Sequence, residues 1–343
     1  MTIILTIETT CDETAAALVT DELKVLADVV ASQDKLHERY GGVVPEVASR
    51  VHLEQILPVI DSVFSQSGIK AEEIDAIAVA NMPGLAGSLL VGLSAAKSLA
   101  VALEKPLIAI NHLQAHIYAC KISSHEDPFP CLGLIISGGH TSIYHCVNSI
   151  EFVLLGGTID DAVGEAFDKV AAMLNLPYPG GPSIQKIAVK GNPHAYNFPR
   201  SLLNEPDRIS FSFSGLKTAV RYKLVGPGKV NDPAKTAAQL PPNEIADIAA
   251  SFQEAAVDIL VGKTLQVMKK SEIKTLCIGG GAAANKRFRE KISEAMQKNK
   301  YKLFIAPPNL CTDNAIMGAI AVERYKKGLF ESLELDAFPG VIR

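Results

Sequence analysis

No two of the six cysteines, Cys11, Cys120, Cys131, Cys146, Cys277 and Cys311, stand at CxxC spacing. That excludes a zinc ribbon and a thioredoxin-like redox motif. Scattered thiols fit a reducing compartment, where they serve as small buried hydrophobes. An excess of positive charge is also missing. Thirty-three basic against 37 acidic residues leave a formal net charge of −4, so no global basic field points to nucleic acid. A nucleic-acid partner then needs a local basic patch or a helper protein. No basic segment precedes the first apolar run, Ile3-Ile4-Leu5, which reads as a strand and not a signal peptide, in keeping with a cytoplasmic location. No uninterrupted apolar run is long enough for a membrane span. Ala76 to Ala96 carries no charge, but Asn81-Met82-Pro83-Gly84 breaks it and Gly87 and Gly92 follow, so a strand, a turn and a close-packed helix are expected.

What is present is an ordinary globular composition, 48% hydrophobic and 20% charged, over 343 residues, enough for two lobes with a core each. Period-two and period-3.6 patterns give strands at 3–8, 15–19 and 25–32, a helix at 45–66, a strand at 74–80, a helix at 87–103 and a strand at 106–110. The pattern then restarts, with strands at 130–137, 141–147 and 152–158, a helix at 161–174, a long helix at 244–269, a strand at 275–278, a helix at 285–297 and a strand at 302–306. This repetition predicts an α/β protein built by duplication, with lobes at 1–129 and 130–325 and a C-terminal helix at about 326–343 returning to the first. The polar stretch 177–242, rich in Pro, Gly and Ser, breaks the rhythm and reads as an insertion. Each half opens with a hairpin whose turn, Thr9-Thr10-Cys11-Asp12 or Ser137-Gly138-Gly139-His140, offers amides and hydroxyls to an anionic phosphate.

His112 and His116 form an HxxxH pair, which on a helix brings both imidazoles to one face and within reach of one metal ion. By chance a chain with this many histidines holds about 0.2 such pairs, so the pair alone does not establish a site. Leu113 stands where a zinc peptidase needs its glutamate, which disfavours peptidase chemistry. Asn111 can cap the helix. Asp313, in Cys311-Thr312-Asp313-Asn314, is either a helix N-cap or a third ligand. Two histidines and one carboxylate leave positions open, as catalytic metals require. On the helix at 161–174, Asp161, Glu165 and Asp168 form either a solvated acidic face or the source of a carboxylate for a ribose. Tyr178-Pro179-Gly180-Gly181-Pro182 is a rigid turn, and Gly279-Gly280-Gly281-Ala282-Ala283-Ala284-Asn285 a small-residue loop where a base or sugar can approach the backbone. Two basic clusters are candidates for RNA: Lys286, Arg287, Arg289 and Lys291 with Lys298, Lys300 and Lys302, and Lys217, Arg221 and Lys223.

Taken in order, these segments resemble the TsaD/KEOPS family of tRNA threonylcarbamoyl transferases over nearly the whole chain. The resemblance rests on Ile7-Glu8-Thr9-Thr10-Cys11-Asp12-Glu13-Thr14, Tyr40-Gly41-Gly42-Val43-Val44-Pro45-Glu46, Asn111-His112-Leu113-Gln114-Ala115-His116 and Ser137-Gly138-Gly139-His140-Thr141. It continues through Asp160-Asp161, Glu165-Ala166-Phe167-Asp168-Lys169, the Tyr178–Pro182 turn, Phe211-Ser212-Phe213-Ser214-Gly215-Leu216-Lys217-Thr218, the Gly280–Asn285 loop and Cys311-Thr312-Asp313-Asn314.

The resemblance implies the actin/Hsp70-like fold and transfer of threonylcarbamoyl from threonylcarbamoyl-AMP to the exocyclic amine of the adenosine beside the anticodon, in tRNAs reading codons that start with A. It implies one divalent metal ion per chain, iron in many members and zinc in others, on His112, His116 and Asp313. It puts substrate contacts on Ile135, Ile136, Ser137, Gly138 and Gly139, and on Asp168, Gly181 and Asn285. It also implies helpers, among them a small actin-like paralogue and an ATPase. Gln114 stands where the family often has Glu. Two other readings are a non-catalytic actin-fold nucleotide-binding scaffold and a metallopeptidase.

Overall fold

The computed structural model describes residues 1–124, 126–228 and 232–340. The expected C-terminal helix and insertion extend over 341–343 and 229–231, which lie outside the described residues. Two compact units are formed. Unit 1 holds Met1–Asp127, Val147–Phe152 and Asn309–Arg343; unit 2 holds Pro128–Cys146 and Val153–Pro308.

Unit 1 is built on strands β1 (Ile3–Glu8), β2 (Glu13–Thr20), β3 (Val25–Ser32), β4 (Ala76–Met82) and β5 (Leu107–Asn111), in the order β3-β2-β1-β4-β5. β1 is antiparallel to β2 and parallel to β4, with Ile4 opposite both Val19 and Ala76. All six residues of β1 are buried, as a central strand requires. Helices Pro45–Ser67 and Ala86–Leu103 pack together and against this sheet through Ile56, Val59, Ile60, Val63, Leu93, Ala96 and Ala100. Burying each such Val, Leu or Ile contributes about 1.5–3 kcal/mol. The uncharged stretch at 76–96 is therefore a core strand, a turn at Pro83-Gly84 and most of a helix, as its Pro and Gly residues indicate.

Unit 2 repeats the plan with β6 (Cys131–Ile136), β7 (Thr141–Cys146), β8 (Phe152–Gly157), β9 (Thr275–Gly279) and β10 (Lys302–Ile305), in the order β10-β9-β6-β7-β8. Its first strand again pairs antiparallel with the second and parallel with the fourth. The same strand order in both units is the duplicated two-lobed actin-like fold. The helix Pro242–Ser271 runs through the core of unit 2. Its Lys263, 2% exposed, donates from Nζ to the carbonyls of Glu205 and Arg208 at 2.7 and 2.9 Å, which ties the 177–242 insertion to the core. The insertion has helices of its own at Gly180–Ala188, Ser214–Val225 and Pro233–Ala237.

Two boundaries differ from expectation. The chain rejoins unit 1 at Asn309 and not near 326, because the Ile316–Ile320 turn packs on β1 and on the helix His112–Ile122. Asp313 therefore shares a unit with the histidines. The last described helix is Ala321–Lys326. Beyond it lies a segment whose Glu331 N–H donates to Leu107 O at 2.8 Å, an edge contact of β5 in place of the expected C-terminal helix.

Candidate functional site

β5 runs directly into the helix His112–Ile122. Asn111 makes this possible, since its Oδ1 accepts the Leu113 and Gln114 amides at 2.9 and 3.2 Å and caps the first turn. One turn of helix then separates the two histidines, whose ring centroids stand 4.6 Å apart at 76°. Asp313 arrives from the other end of the chain. Its neighbour Asn314 accepts the Met317 amide at 3.1 Å and so ties down the start of the turn that follows. Asp313 Oδ1 lies 3.1 Å from His116 Nε2 and 3.6 Å from His112 Nε2, and the donor atoms of the three residues lie within 4.8 Å of one another.

His116 is wholly buried, and neither of its ring nitrogens has a hydrogen-bond partner. An unsatisfied buried polar atom costs about 1–3 kcal/mol. An orphaned imidazole nitrogen converging with a second imidazole and a carboxylate fits a metal ion, which these three residues could hold. His112 differs. Burial opposes its charge, but Glu8 and Asp313 outweigh it and push the imidazole up to about 9 without a cation present. Ligating a metal through this ring would require it in the deprotonated form.

The first hairpin turn does not offer its hydroxyls to an anion. Thr9 Oγ1 donates to Ser88 O at 2.9 Å, and Thr10 Oγ1 faces His112 Nδ1 at 3.0 Å. Donor oxygens of Asp12, Glu13 and Asp34 cluster beside it. Burial, then the fields of Asp313, Asp12 and Asp34, push Glu13 up to about 10, and burial raises Asp12 as well.

The remaining expected residues lie in unit 2, where contacts join their loops. Ile135 and Ile136 are fully buried in β6, so only their backbone can meet a ligand. The turn Ser137–His140 closes on itself, Ser137 N–H donating to His140 O at 2.8 Å, and the space beside Gly138 and Gly139 is open. Gly164 and Glu165, in the first turn of the helix Val163–Met173, donate their amides to Ser137 O and Gly138 O at 3.2 Å. Further along that helix Asp168 Oδ1 accepts the Gly180 amide at 2.7 Å, which puts Asp168 beside the Gly180-Gly181 turn. Gly280 has φ of 96°, and a Cβ there would stand 2.5 Å from Ile136 O, so only glycine lets this loop meet the end of β6. Asn285 caps the helix Lys286–Asn299, its Oδ1 accepting from Phe288 N–H at 3.0 Å while Nδ2 donates to Gln253 Oε1 at 2.9 Å.

Sequence reasoning gave no role to Glu8, Gln253 or Asp160. Asp160 accepts four hydrogen bonds, from Ser212 Oγ, Phe213 N–H, Ser214 N–H and Ser214 Oγ. Although burial opposes it, those bonds hold its carboxyl below the usual range. The available signal for Glu8 is a lone carboxylate ending a strand whose other residues, apart from Thr6, are apolar. The basic clusters are largely engaged within unit 2. Arg287 holds Glu254 at 2.7 and 2.9 Å, Lys291 pairs with Glu254 and Asp258, and Arg289 donates to the carbonyls of Ala283 and Ala306. Lys217 pairs with Asp161 and Lys223 with Glu244. Lys286, Lys298 and Lys300 remain exposed.

A family model described as TsaD, tRNA N6-adenosine threonylcarbamoyltransferase, matches residues 24–320. A protein named tRNA N6-adenosine threonylcarbamoyltransferase from Rhodopirellula baltica is 51% identical, over 99% of this chain and 97% of its own. One of the same name from Symbiobacterium thermophilum is 47% identical, over 99% and 96%. Among solved structures, HypF from T. kodakarensis superposes with a TM-score of 0.62 at 14% identity, covering 95% of this chain and 48% of that one, a likeness of fold.

Proposed function

The chain belongs to the TsaD family of tRNA N6-adenosine threonylcarbamoyltransferases, and we infer from that membership and from the site how it performs the reaction. It is a tRNA-modifying transferase that places a threonylcarbamoyl group on N6 of an adenosine. The scaffold and peptidase readings are not favoured, since the relatives are named as transferases over nearly their full length.

The donor we propose is threonylcarbamoyl-AMP, and the acceptor the adenosine beside the anticodon in tRNAs reading A-starting codons. The N–C bond forms as the C–O bond to phosphate breaks, AMP leaves with the electron pair, and the amine releases one proton. An aryl amine is a weak nucleophile, so positioning carries much of the rate. The loops of unit 2 suit that task. Open amides at Gly138 and Gly139 are suited to the phosphate, Asp168 and Gly181 to the ribose, and the Gly280–Asn285 loop to the base. His112, His116 and Asp313 would hold a divalent ion, Fe2+ in our reading and Zn2+ as the other candidate, both suited to two imidazoles and a carboxylate. When bound, that ion would supply Lewis acidity.

The observation that carries the metal-assisted reading is the wholly buried imidazole of His116, which makes no hydrogen bond and whose Nε2 converges on Asp313 Oδ1 at 3.1 Å. We place the chain in the cytoplasm, working with a small actin-like paralogue and an ATPase. Leu53 and Leu57 on one helix and Leu90 on its packed neighbour are exposed, apolar side chains open to such a contact. Incubation of tRNA with a donor labelled in threonine tests the whole. Label in N6-modified adenosine, lost in His116→Ala, supports the reading; no label with active helpers and intact metal rejects it.

A further inference from the structure

We propose that Glu8 is a positioning residue, which fixes His112 with its hydrogen on Nδ1 and so presents the Nε2 lone pair to a metal ion; this rests on the metal reading above. Glu8 ends β1 and is 3% exposed. A carboxylate there is costly unless paired. Two contacts satisfy it: Oε1 accepts the Thr10 amide at 2.7 Å, and Oε2 lies 3.1 Å from His112 Nδ1. An ionised carboxylate accepts and never donates, so Nδ1 carries the hydrogen. Thr10 Oγ1, 3.0 Å from the same nitrogen, adds a second acceptor lone pair on that side of the ring. In a neutral imidazole the lone pair then belongs to Nε2, the atom that faces Asp313 beside His116 Nε2.

The two histidines are thus unlike. The His112 ring is oriented by a carboxylate behind it, the arrangement by which outer groups fix a ligating imidazole. His116 has no such bond and takes its orientation from packing. Removing the charge behind His112 should therefore weaken metal binding without touching a ligand. Glu8→Gln is the informative change, because the amide keeps an acceptor for Thr10 N–H yet can turn its NH2 toward Nδ1 and reverse the imidazole.

The test is Zn2+ affinity near neutral pH, titrated against a chromophoric chelator, in the full chain and in Glu8→Gln, Glu8→Asp and His116→Ala. We expect Zn2+ binding about 10–100-fold weaker in Glu8→Gln, partly restored in Glu8→Asp. In the Zn2+-loaded wild type, long-range 1H–15N correlation spectra should show His112 bound through Nε2 with Nδ1 protonated. Ligation through Nδ1 overturns the proposal, and this measurement stands even where a variant fails to fold. Unchanged affinity in Glu8→Gln with loss in His116→Ala overturns the proposal alone. Unchanged affinity in both overturns the metal reading and the proposal with it.

Discussion

His116 Nε2 and Asp313 Oδ1 meet at 3.1 Å, the imidazole wholly buried and the carboxylate one-fifth exposed. An ion held there can still exchange ligands on the Asp313 side. His116→Ala and Asp313→Ala should each lose most bound metal, measured by elemental analysis of protein that retains its fold. Folded variants with wild-type metal content would remove the site.

Asp168→Ala should weaken threonylcarbamoyl-AMP binding by about 1–3 kcal/mol, the scale of a hydrogen bond to a charged group, and leave metal content alone. Asp168 also holds the Gly180 amide. Asp168→Asn separates the two tasks, because an amide oxygen still accepts from Gly180 but carries no charge. Calorimetry showing full adenylate affinity in both variants would leave Asp168 with the turn alone.

The pairing around Glu254 predicts an acid-labile element. Hydrogen bonds from Arg287, outweighing burial, hold this carboxyl at about 2, against 4.5 when unpaired. Its folded value is the lower one, so its contribution is complete above the unpaired value and is lost as pH falls toward 2. Part of the pair is exposed, and the contribution is on the order of 1–3 kcal/mol. Glu254→Gln should be less stable at neutral pH and should lose less stability on acidification. Parallel curves for wild type and variant in denaturant titrations across that range would refute this.

The strands were legible because their pattern is local. The strands expected at Ile3–Glu8 and Val25–Ser32 end where the structure ends them, and the duplicated order follows. The HxxxH pair was legible for the same reason. Asp313 was harder, since its unit is decided by how the Ile316–Ile320 turn packs on β1, a contact between distant segments. The cations misled: a lysine on a helix looks alike in sequence whether it faces water or, like Lys291, pairs with Glu254 and Asp258. Thr9 and Thr10 misled likewise, since a hydroxyl in a turn does not announce whether it faces solvent or Ser88.

With Arg287, Arg289, Lys291 and Lys217 engaged internally, the two basic clusters keep Lys286, Lys298 and Lys300 among their exposed cations. Phosphate neutralisation supplies most non-specific RNA affinity, and each contact contributes to the salt slope. We therefore expect weak tRNA binding by this chain alone, steeply reduced by salt and strengthened when its helpers are added. Lys298→Glu with Lys300→Glu should lower binding further and flatten the salt dependence by about two contacts, while metal content stays unchanged. Arg287→Ala should instead act on stability, since it leaves Glu254 without its main partner. Binding isotherms at several salt concentrations decide the matter: tight, salt-insensitive binding by the isolated chain would show that tRNA is recognised through something other than these charges.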